Sequence, residues 1–94
     1  MNVKTLATGV TSVSTQDAVN FTRELGRVQS GIAQVDGMSG TETVLVQGRL
    51  DGGFNWVTVA TFTADGAKSV MIFPEMRSNV TVRAAGTISV RIGA

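Results

Sequence analysis

Hydrophobic and polar residues alternate most cleanly toward the C-terminal end of the chain. In Thr87-Ile88-Ser89-Val90-Arg91-Ile92 every second position is apolar. Ile88, Val90 and Ile92 therefore share one face of a strand, and Ser89 and Arg91 share the other. Asn79-Val80-Thr81-Val82-Arg83 repeats the period, with Val80 and Val82 together. Ala85-Gly86 separates the two runs at hairpin spacing, so the pattern predicts two strands paired through a tight turn.

The same reading extends upstream. Residues 42–50 place Val44, Val46 and Leu50 on one face, where Gly48 marks either a bulge or room for a neighbour's bulky side chain. Asp51-Gly52-Gly53 supplies a reversal, and residues 54–63 return as a strand. Asp65-Gly66 is a further turn, leading to a strand over 69–73 that Pro74 ends by withholding a ladder donor. Earlier, residues 6–14 and 26–35 read as strands, with Gly31 a candidate bulge, and Asp36-Gly37 and Ser39-Gly40 as the turn that follows. Residues 17–25 fit two descriptions. One is a strand with Val19, Phe21, Arg23 and Leu25 on one side; the other is a short helix capped by Thr15 and stopped by Gly26. Seven to eight strands with turns every 8–12 residues predict an all-β chain: a single antiparallel β-sandwich or jelly-roll-like domain. It spans residues 1–94, with 1–15 read as an extended arm.

Composition changes this picture in one respect. Only 16% of the 94 residues are charged, against about 25% in an ordinary soluble domain. Mean hydropathy is +0.20. No apolar run reaches the roughly 18–20 residues of a membrane-spanning helix, and Met1-Asn2-Val3-Lys4 lacks the layout of a signal peptide. With no cysteine there is no disulfide to compensate for small size, which leaves oligomerisation. Both sides of the central strands carry apolar groups, since Leu45 opposes Val44 and Val46, and Val57 and Val59 oppose Trp56 and Phe62. One set fills a core; the other calls for cover by a second copy or a partner. The net charge of +1 shows no basic stripe, so nucleic acid is not an expected partner.

Candidate chemistry is sparse. The chain has neither histidine nor cysteine, which removes the commonest general base and the thiol nucleophile. Asp36, Asp51 and Asp65 each precede a glycine and read as turn residues. No enzyme activity, cofactor or metal site is expected. Trp56, the only tryptophan, reads as a cap on the core or as a stacking platform for a sugar ring. Arg77, Arg83 and Arg91 read as solvated strand positions or as contacts to acidic groups of a partner, with Arg83 and Arg91 on the outward faces of the C-terminal hairpin. Leu45, Val57, Val59, Arg83 and Arg91 are the candidate interface residues.

The stretch from Val44 to Ile92 resembles small bacteriophage virion proteins. The resemblance rests on a strand ending in GRLDG, Trp56 a few residues on, TVATFTADG, the Pro74 segment and NVTVRAAGTISVRI. It implies a virion protein that decorates or cements the capsid by binding the major capsid protein or other virion subunits. A homo-oligomer is implied, taken here as a trimer at a local three-fold, with residues 1–15 reaching adjacent subunits. A small tail or baseplate adaptor is the alternative. The LDG…W hairpin is also similar to discoidin-like and other carbohydrate-binding sandwiches, which implies glycan binding at Trp56.

Overall fold

The computed structural model of the chain describes residues 3–22, 30–50, 52 and 54–94. Among these, seven strands of six to eight residues carry the architecture: β1 (Val3–Val10), β4 (Ser30–Asp36), β5 (Thr43–Arg49), β6 (Val57–Phe62), β7 (Gly66–Met71), β8 (Glu75–Val82) and β9 (Ile88–Gly93). Two short strands, β2 (Ser14–Thr15) and β3 (Val19–Asn20), both pair with β8. The strands form two antiparallel sheets packed as a sandwich. Sheet A runs β1-β9-β4-β7, and sheet B runs β2-β8-β5-β6 with β3 also on β8.

Period-two alternation explains the core. On β9, Ile88, Val90 and Ile92 are fully buried; on β5, Val44 and Val46 are. Ala33 and Val35 of β4, Met76 and Val80 of β8, and Phe62 of β6 meet them, and Phe21 fills one end. Buried apolar area of this kind is the main favourable contribution to folding. Gly48 is also buried, and the notch it leaves holds the Phe73 side chain, which a Cβ there would meet at 2.6–2.8 Å.

Several expectations are corrected. Residues 79–92 are not a hairpin. β8 lies in sheet B and β9 in sheet A, so the connection over 83–87 arches from one sheet to the other. Alternation fixes which side chains point inward but not which sheet a strand joins, and both arrangements bury Val80, Val82 or Ile88 equally well on paper. Val82 itself is exposed at the strand end. Arg83 and Arg91 consequently do not share a face. Leu50 lies beyond β5 and is exposed. Gly31 is no bulge, because it pairs in regular register with Val70; the register shifts fall within β1, at Val46/Gln47 and at Thr43/Val44. Residues 3–10, expected as part of an arm, form β1 along β9, with Leu6 and Ala7 in the core. Within 17–25, Val19 and Asn20 are strand and Phe21 is buried, while Arg23 and Leu25 lie outside the described residues.

Candidate interaction surface

Glu42 anchors the end of the sandwich where two arches meet. Its carboxylate is buried and accepts the backbone N–H of Ser39 at 2.6 Å, of Ala84 at 2.8 Å and of Gly86 at 2.9 Å. Arg83 donates twice to the Gly86 carbonyl, at 3.1 and 2.9 Å, and its Nε stands 3.9 Å from Glu42. The Ser39 N–H, joined by those of Ala84 and Gly86, outweighs the opposing effect of burial and holds the Glu42 pKa at about 2. Gly37 adopts φ +87°, and a side chain on it would strike the Thr87 carbonyl, so the two arches touch backbone to backbone. Glu42 is thus a structural clamp. Nothing in a local pattern flags it, because two of its three donors lie more than forty residues away.

The outer face of sheet B carries a second cluster. Cross-strand pairing sets Gln47 opposite Arg77 and Arg49 opposite Glu75. Arg49 Nε lies 3.2 Å from Glu75 Oε1, and Arg77 Nε donates to Gln47 Oε1 at 2.8 Å. Trp56, just before β6, lies against both guanidinium groups, whose central carbons are 4.3 Å (Arg49) and 4.2 Å (Arg77) from its ring centre. Such cation–π contacts contribute about 0.5–2 kcal/mol each, depending on desolvation. Burial, and then the like charge of Arg49, lowers the Arg77 pKa from its ordinary value. Trp56 therefore does not cap the core; it completes a half-buried platform on the outside. A sugar ring would compete with two guanidinium groups for the indole surface.

The five expected interface residues are dispersed. Leu45 is half-buried on the outside of β5, between Asn79 and Thr61. Val57 opens β6 opposite Gly48 and is exposed. Val59 sits at the β6 bulge and packs against the core. Arg83 is tied into the arch. Arg91 lies on the opposite outer face, sheet A, between Thr5 and Gln34. There it lines a shallow depression of about 270 Å³ with Val3, Ile32, Gln34 and Gly93. The depression exists because Gly93 stands between Val3 and Ile32 in one cross-strand row. Met71 adds a third large apolar side chain to the exterior of this sheet, and it is 64% exposed. Among the described residues, no group of three or more acidic side chains is placed to hold a metal ion, and no helix is long and apolar enough to cross a membrane.

Comparison with known proteins finds no family model, no curated protein and no solved structure that matches the chain.

Proposed function

We propose that the chain is a bacteriophage virion structural module that decorates the capsid, binding neighbouring shell subunits as a homo-oligomer. The observation that carries this reading is exposed apolar surface at two places on one small sandwich, the outside of sheet A and the β5–β6 end of sheet B. Val3, Ile32 and Met71 stand out from sheet A, while Leu50, Phe54 and Val57 are exposed around the passage from β5 to β6 in sheet B. A freestanding domain would normally cover one such face with charge. A module set between symmetric neighbours uses both, because each weak contact is repeated around the assembly. The patterning of residues 44–92 supports a virion setting by resemblance. A tail adaptor would rely on the same surfaces.

The test is sedimentation velocity of the isolated chain, followed by co-sedimentation with empty capsid shells. An oligomer that pellets with shells is expected. A well-behaved monomer that stays in the supernatant would remove the main support for the reading.

A further inference from the structure

We propose that the outer face of sheet B, anchored at Arg77 and Trp56, docks a carboxylate-bearing segment of a partner protein. This deepens the assembly reading above and rests on it, naming where a neighbour is held and by what chemistry.

Among the described residues, the platform holds two guanidinium groups and one carboxylate. Glu75 is engaged by Arg49 through two contacts, at 3.2 and 3.5 Å. Arg77 has only the neutral Gln47 oxygen at its Nε, and among the described residues no carboxylate bonds it. Its terminal nitrogens keep the paired N–H geometry that matches a carboxylate. Among the described residues the platform is therefore short of one anion, in a half-buried setting where an ion pair is screened less than on an open surface.

The site is also preorganised. The Arg77 guanidinium is fixed by the indole on one side and Gln47 at Nε. Much of the side-chain entropy that a docking arginine ordinarily loses has thus been lost in folding. Arginine and tryptophan are also the residue types most often found at the energetic centres of interfaces.

Leu45, half-buried on the same outer side of β5 and two residues from Gln47, adds apolar surface to that of the indole. Leu45 and the Trp56 ring beside the arginines suit a partner segment that mixes acidic with apolar side chains. A nucleic acid fits poorly, since polyanion binding draws on several free cations and Arg49 is already neutralised.

The test uses Trp56 emission, which reports this platform alone because the chain has no other tryptophan. The whole chain is titrated with a short peptide alternating glutamate and leucine, with its glutamine-for-glutamate counterpart, with inorganic phosphate and with a thymidine 12-mer. A saturable change is expected with the acidic peptide only, weakened by salt. Arg77→Gln should lower the affinity about tenfold or more, one charge-assisted pair being about 1.4 kcal/mol or above. Arg77→Lys, which retains charge without the fork, should fall between. Thermal melts of both variants check that the fold is kept. An unresponsive Trp56, an equal response in Arg77→Gln, or tighter binding of phosphate or the 12-mer would each overturn the proposal. A chain that pellets with shells while Trp56 ignores the acidic peptide sinks this docking surface and leaves the assembly reading standing; the opposite pair of results does the reverse.

Discussion

Replacing Gly48 by alanine is a one-carbon perturbation whose cost the structure specifies. A Cβ at this position would lie 2.6 Å from Phe73 Cδ1, 2.7 Å from Cγ and 2.8 Å from Cβ. Relief cannot come from the tip of the ring alone, because the contact reaches back to the first side-chain carbon. Either the Phe73 backbone moves or β5 shifts against its neighbours. Overpacking of this kind costs about 1–3 kcal/mol, offset in part by the roughly 0.5–1 kcal/mol that alanine gains over glycine in a strand. For a domain of this size, a net loss of 1–2 kcal/mol lowers the melting temperature by roughly 4–16 °C. Urea unfolding followed by far-UV circular dichroism should show a lower midpoint with an unchanged slope. The decisive measurement is a double-mutant cycle with Phe73→Ala. That change alone removes a half-buried ring and should cost about 2–3 kcal/mol, toward or below the low end of the range for buried phenylalanine. With the ring gone, Gly48→Ala should become nearly neutral or favourable. A coupling below about 0.5 kcal/mol would refute the view that Phe73 fills the Gly48 notch.

Other outcomes follow from the same geometry. The Glu42 carboxyl titrates in the folded protein at about 2, below its ordinary 4.5, so its contribution is fully present above that ordinary value and is lost as pH falls toward 2. Glu42→Gln should lower the urea midpoint at neutral pH and flatten the decline between pH 4.5 and 2; parallel profiles for variant and parent would contradict the clamp. Ser78→Ala removes the hydroxyl that donates to Gln16 Oε1 at 2.6 Å just past the β2–β8 pair, and should cost about 1–2 kcal/mol in chemical denaturation. Ile92→Ala should cost about 2–5 kcal/mol, whereas Arg91→Ala on the other face of the same strand should stay within about 0.5 kcal/mol by the same assay. A broad glycan panel should leave Trp56 emission flat, since the indole already stacks on Arg49 and Arg77; saturable quenching by any sugar would contradict this.

Local periodicity carried much of the fold. The inward placement of Val44 and Val46 on β5 and of Ile88, Val90 and Ile92 on β9, the turn glycines at 37 and 40 and the room above Gly48 are all properties of neighbouring residues, and each is where the pattern puts it. Sheet membership is a different kind of information. Whether residues 83–87 make a hairpin or an arch depends on Glu42, which reaches across to Ala84 and Gly86 and has no short-range signature. Arg77 was visible as a candidate contact residue. Its partnership with Trp56 was not, because β5 must first bring Gln47 and Arg49 alongside Arg77 and Glu75.

The position of β9 has a consequence for the order in which the molecule is assembled during synthesis. Among the described residues β1 has no ladder partner except β9, and Val3 ends opposite Gly93. β4 also gains one of its two neighbours only from β9. As the chain emerges from a ribosome, the first long strand must wait for residues 88–93, with its apolar side chains uncovered in the interval. Joining segments about ninety residues apart costs closure entropy before any contact offsets it, and places folding in the slower range typical of non-local β topologies. Until β9 slots between β1 and β4, sheet A is one incomplete pair beside a loose strand, and this is the stage at which stray edge pairing between chains is most dangerous.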